Sequence, residues 1–141
     1  MPAAAVPSLA PALEGVRLIL HVLAAAIWVG GQLTVAGLLP TIRGLGDDAA
    51  KKVARALGRL LWPAFAVLVL TGFWNLASLD PKAASTAWNA VMGTKMTLVV
   101  VAGVAVFLHQ RAKSKAATAA WGAIGALASV AALCLGVLLA G

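Results

Sequence analysis

The side chains best suited to chemistry are histidines set inside long apolar runs. His21 lies in a run from about 16 to 39, which is long enough to cross a bilayer. Trp28 and Gln32 follow His21 at a spacing that puts all three on one face of a helix. Ionisable groups at membrane depth are costly and usually face the protein interior. We therefore expect other helices, and any chemistry, on this face; an interfacial histidine with a satisfied hydrogen bond is the alternative.

The overall composition is that of a membrane protein. Of the 141 residues, 62% are hydrophobic, and the mean hydropathy is +0.99, well above the range of ordinary soluble domains. The single cysteine, Cys134, excludes an intrachain disulfide and a cysteine-based metal motif. The net charge of +7 comes from basic residues that flank apolar spans. Anionic lipid headgroups explain this charge better than nucleic acid does.

The apolar runs predict an all-α fold, an integral membrane four-helix bundle formed by a single domain over 1–141. Its antiparallel transmembrane helices are expected at about 16–39, 48–79 (membrane part 60–79), 88–110 and 117–140.

The charges of the connections predict how the bundle is oriented. Connection 40–59 carries five basic and two acidic residues, and connection 111–115 carries three basic residues. The positive-inside rule therefore puts both in the cytoplasm and both termini outside.

The rise of 1.5 Å per residue in a helix then sorts the polar residues by depth. Lys95 on the third span and Asn75 and Thr71 on the second are expected at the level of His21. Lys95 either faces an interior cavity beside His21 or extends to the outer surface. His109 is expected about 20 Å away, at the cytoplasmic rim, so both histidines cannot bind the same haem.

Several segments resemble the family of copper-resistance protein D (CopD) and the related HemJ-type protoporphyrinogen oxidases. The resembling segments read HVLAAAIWVGG, RLLWPAFAVLVLTGFWNL and GTKMTLVVVAGVAVFLH, within about 17–112. The resemblance implies binding of haem b and functional roles for His21 and Lys95. The fourth span departs from the pattern, since TAAWGAIG stands where HemJ-type chains carry an Asn-Glu-x-Pro element.

We therefore expect a haem b-binding membrane redox protein. His21 would be an axial ligand and His109 a ligand of a separate haem, because neutral imidazole commonly binds haem iron. Lys95 would pair with a propionate, Trp28 would form a flat aromatic wall, and Asn75 would lie nearby.

Two other functions stay open, and whether the protein is an enzyme is left open too. Copper transport would use His21 with Met92 and Met96, since thioether sulfur suits Cu(I). A structural subunit of a larger membrane complex is the second alternative. We expect membrane lipids as partners, a bacterial plasma-membrane location and a homodimer packed through the small residues Ala128, Ala132 and Gly136.

The predicted orientation can be tested by cysteine labelling from outside the cell. Ser85→Cys is expected to react with an impermeant reagent and Ser114→Cys to be protected, because the basic connections should stay in the cytoplasm. Labelling of Ser114→Cys with protection of Ser85→Cys would overturn the orientation.

Overall fold

The protein is a bundle of four long helices. The computed structural model describes residues 8–80 and 82–140. The helices are α1 (Ala12–Gly44), α2 (Asp47–Ala77), α3 (Thr86–Arg111) and α4 (Lys115–Ala140). Each is long and apolar enough to cross a membrane, and the described residues form no strand. The expected all-α four-helix membrane fold is therefore confirmed.

Local chemistry explains where the helices begin and end. Gly46 separates α1 from α2 with a φ of 101°, a conformation that favours glycine. Ser85 caps the N-terminus of α3, where its side chain accepts a hydrogen bond of 3.1 Å from the Trp88 amide. Helices α1 and α2 continue through Pro40 and Pro63. Helix α1 also extends beyond the predicted apolar span at both ends.

The helices pack mainly as two antiparallel hairpins, α1 with α2 and α3 with α4. In each hairpin, residues near the start of one helix contact residues near the end of the other. The α1–α2 pairs are Arg17 with Ser78, His21 with Thr71 and Gly31 with Leu61. The α3–α4 pairs are Lys95 with Gly136, Val106 with Gly125 and His109 with Gly122. This register gives the bundle a His21 end and a His109 end.

The two hairpins meet through the middle of the bundle. Trp28, Val29, Leu61 and Val106 form the buried hydrophobic cluster there. Phe65 of α2 lies against Gly103 of α3, where an added Cβ would be only 2.7 Å from the ring. The absence of a side chain at position 103 is therefore what lets the phenyl ring into the interface.

The small residues of α4 pack inside this bundle. Ala128 and Ala132 are each 6% exposed, and Gly136 lies against the Lys95 side chain. Close approach of membrane helices depends on such small residues. The face that the sequence assigns to a dimer thus already serves contacts within one protomer.

Large apolar side chains cover the outer surface, as lipid contact requires. Ile19, Leu127 and Val137 are 66%, 71% and 69% exposed. In a bilayer these side chains would face acyl chains, so their exposure needs no further partner.

Replacing Gly103 by alanine tests the contact with Phe65. Gly103→Ala is expected to lower the free energy of unfolding by about 1–3 kcal/mol, because overpacking displaces the ring. Gly93→Ala, on the same helix with nothing within 4 Å of its added Cβ, is the matched control. Thermal unfolding in detergent measures both, and equal behaviour of the two variants would contradict the packing described.

Candidate functional site

The imidazole of His21 is held in one orientation by α2. Its Nδ1 lies 2.8 Å from Thr71 Oγ1. The Thr71 hydroxyl also lies 2.7 Å from the Val67 carbonyl oxygen. Since a carbonyl oxygen cannot donate, the hydroxyl hydrogen points to Val67, and the hydroxyl oxygen accepts from the Nδ1–H of His21.

This arrangement leaves the second ring nitrogen of His21 available. With the hydrogen on Nδ1, a neutral imidazole carries its lone pair on Nε2. The backbone of Leu68 also lies close enough to interact with the imidazole, and Thr71 is the one side chain among the described residues that forms a hydrogen bond with it. Thr71 is 5% exposed, and Gly72 beside it lies against His21 Cε1. A ring oriented by a hydrogen bond at one nitrogen and open at the other is the usual state of a metal-binding histidine.

Lys95 brings a positive charge towards His21 from the other hairpin. Its side chain crosses to α4, where Nζ would be 3.1 Å from a Cβ added to Gly136. Lys95 is partly buried and lies within electrostatic range of His21. Gly136 is four residues before the end of α4, so the ammonium lies about 6 Å from that end. The Lys95 side chain therefore extends towards the membrane surface along the inner face of α4.

Two polar atoms near His21 are buried and unpaired. Among the described residues, Asn75 Oδ1 and Arg17 Nε have no hydrogen-bond partner. Asn75 lies one helical turn beyond Thr71, and Arg17 one turn before His21. Both atoms therefore lie at the His21 end of the α1–α2 hairpin.

Trp28 and Gln32, which share the face of His21, bond to α4. Trp28 Nε1 donates to Ser129 Oγ at 3.0 Å, and Gln32 Nε2 donates to the same oxygen at 3.2 Å. The Ser129 hydroxyl in turn donates to the Gly125 carbonyl at 2.7 Å. One serine thus satisfies two donors from α1 in the middle of the bundle.

Two other aromatic rings pack against the Trp28 ring. Its centroid lies 4.4 Å from that of Phe65 and 5.9 Å from that of Trp62. The side chain is 2% exposed. In this structure Trp28 is therefore a core residue packed against other protein rings, whereas the sequence predicted a flat aromatic wall beside a cofactor.

His109 lies at the opposite end of the bundle. Its Nδ1 donates to the Thr118 carbonyl at 2.7 Å, which leaves Nε2 with the lone pair of a neutral ring. The neighbouring Gln110 side chain lies against Gly58 of α2, while His21 lies against Gly72. These contacts are about 21 Å apart along α2, so within one protomer the two histidines cannot bind one metal ion.

The described residues include no group of three or more His, Cys, Asp or Glu side chains that could hold a metal ion. A copper site at His21 would thus need Met92 and Met96, both partly buried on α3. Two shallow surface grooves lie elsewhere, one along Leu18–Ala26 of α1 and one beside Trp88. Neither groove is lined by His21 or Lys95.

Sequence reasoning found part of this site. Depth along the helices brought His21, Thr71 and Lys95 to one level, and the structure joins His21 to Thr71 by a hydrogen bond. Arg17 and Ser129 were missed as site residues. The spacing of four residues from Arg17 to His21 was the available signal for the first, whereas Ser129 looked like one more small packing residue.

Comparison of the chain with protein-family models, curated proteins and solved structures finds no match. Functional inference therefore depends on the geometry of the residues.

Removing the Ser129 hydroxyl tests the link between the hairpins. Ser129→Ala is expected to destabilise the protein by about 1–2 kcal/mol, because the buried Trp28 indole loses its acceptor in a membrane setting, while Gln32 keeps the Trp28 carbonyl as its acceptor. Thr97→Ala is the control, since that exposed hydroxyl donates to the Gly93 carbonyl of its own helix. Unfolding in detergent, followed by tryptophan fluorescence, would report the difference; an unchanged midpoint for Ser129→Ala would contradict the role assigned to it.

Proposed function

We propose that this multi-pass membrane protein binds haem b through His21 and serves in electron transfer or a related redox reaction. The observation that carries the proposal is the hydrogen bond from His21 Nδ1 to Thr71. That bond selects the ring form whose Nε2 can bind iron. Bound haem would supply one-electron redox chemistry, tuned by its axial ligand and surroundings.

The partners of His21 suit a ligand that must hold its orientation. Thr71 is fixed by its own bond to Val67, so the imidazole is oriented by a group that cannot easily rotate. Such supporting hydrogen bonds keep a ligating histidine in place and raise its basicity. Lys95 adds a positive charge within electrostatic range of His21, which suits a propionate carboxylate.

The packed middle of the bundle limits where a haem could bind. Trp28 and Phe65 occupy the space between the hairpins there. A haem bound to His21 would therefore lie towards the His21 end, near Lys95 and Asn75. His109 remains a candidate ligand for a separate haem at the opposite end.

The other proposals have less support. Copper at His21 would require the methionines Met92 and Met96 as further ligands. A purely structural role leaves the polar groups around His21 unexplained. We also propose the bacterial plasma membrane as the location, and a dimer would need a face other than the buried stripe of α4.

Haem titration of purified variants tests the proposal. The full-length protein in detergent is expected to give a Soret band when haem b is supplied, and His21→Ala is expected to lose most of it. The reason is that the methyl group of alanine has no nitrogen that could bind the iron. His109→Ala, which removes the same side chain about 21 Å away, is the matched control and should retain the His21-dependent band.

Circular dichroism should show that His21→Ala keeps its helices. A full, unshifted Soret band in His21→Ala would overturn the assignment of the ligand. A wild-type protein that takes up no haem would overturn the function, and metal analysis of the same sample would then test copper.

A further inference from the structure

The guanidinium of Arg17 is only partly satisfied by the protein. Its Nη1 donates to the Ser78 hydroxyl. Its Nη2 lies 3.9 Å from Glu14 Oε1, beyond hydrogen-bond distance. Its Nε is buried and has no partner among residues 8–80 and 82–140. The Arg17 side chain is 13% exposed, so water compensates little of this loss.

The unsatisfied edge of Arg17 has a defined shape. Nε and Nη2 form one side of the planar guanidinium, and two parallel N–H groups match the two oxygens of a carboxylate. Glu14 forms an ion pair with Nη2 at 3.9 Å, which is too long for a hydrogen bond and leaves Nε without a partner among the described residues. An uncompensated buried donor is costly, so a bound carboxylate would remove a cost that the protein otherwise carries.

Arg17 and Lys95 lie on opposite hairpins around His21. Arg17 precedes His21 by one helical turn and reaches Ser78 on α2. Lys95 comes from α3 and lies against α4. A ligand held at His21 would therefore have one cation from each hairpin near the same end of the bundle.

We infer that Arg17 binds one carboxylate of the ligand held at His21, with Lys95 taking the other. Haem b has two propionates on one edge, which fits two cations at one end of the bundle. This inference rests on the proposed function and adds Arg17 as a binding residue that fixes the direction of the propionate edge. That edge would point from His21 towards the end of the bundle where α1 begins.

Two porphyrins that differ only in their carboxylates give the sharpest test. Haem b and its dimethyl ester are titrated into the same full-length protein in detergent, and the dissociation constants are read from the Soret band. The wild-type protein is expected to bind haem b about a hundredfold more tightly than the ester, because the ester loses both charge-assisted contacts and each is a factor of about ten. Arg17→Gln should bind haem b about tenfold more weakly and the ester with unchanged affinity.

Two further variants separate this role from a structural one. Arg43→Gln, a change of the same type at the opposite end of α1, should leave both affinities unchanged. Arg17→Lys should keep part of the preference for haem b, since it retains the charge and loses the planar fork. Circular dichroism and gel filtration show which variants are folded, and Arg17→Lys carries the test if Arg17→Gln does not fold.

The possible outcomes are distinguishable. A wild-type protein that binds both porphyrins equally overturns the role of Arg17 and leaves haem binding by His21 intact; this is also the result expected if a lipid phosphate occupies Arg17. Equal weakening of both porphyrins in Arg17→Gln likewise overturns it. A wild-type protein that binds neither porphyrin overturns the proposed function and this inference together.

Discussion

The hydrogen bond from the Trp28 indole to the Ser129 hydroxyl is the contact on which the arrangement of the bundle depends. Apolar surface gains little by leaving lipid for another helix, so close packing and polar contacts decide how membrane helices meet. Ser129 joins α1 to α4 and also accepts from Gln32. The same indole packs on Phe65, which enters the space left by Gly103. Trp28 thus contacts α2 and α4 directly, and Phe65 extends this set of contacts to α3.

Beyond this packed middle, the two ends of the bundle hold histidines in similar ways with different surroundings. Both His21 and His109 donate from Nδ1 and leave Nε2 for another partner. His109 donates to a backbone carbonyl near the start of α4, beside basic residues such as Arg111 and Lys113 that suit lipid headgroups. His21 donates to a buried threonine and has Lys95 within electrostatic range. Near His21, the Arg17 side chain is 13% exposed and Lys95 is partly buried, and this difference supports His21 as the proposed ligand.

Much of the fold followed from the sequence because hydropathy and length dominate in a membrane chain. Four apolar runs gave four helices, and depth along them brought His21 and Thr71 together. The partners of a side chain at a given membrane depth could not be predicted in the same way. Helical periodicity identifies which face of a helix is buried, and it does not identify which helix packs against that face. Trp28 was expected beside a cofactor and instead packs on Phe65. Ala128, Ala132 and Gly136 of α4 were expected at a dimer interface, but within the protomer the two alanines are buried and Gly136 lies against Lys95 of α3. Both differences arise because the pairing of the helices is a property of the folded structure that periodicity does not specify.

The balance of satisfied and unsatisfied polar groups separates structure from function in this molecule. In the middle of the bundle, the polar side chains of Trp28, Gln32 and Ser129 bond to one another and stabilise the packing. At the His21 end, Arg17 Nε and Asn75 Oδ1 are buried without partners in the described chain, and buried polar atoms without a partner are costly. A structural subunit would gain nothing from these costs, because apolar residues would pack the same end more favourably. A ligand with iron bound to His21 and carboxylates bound to the cations would compensate them, so the unsatisfied groups, more than the packed ones, support the proposed site.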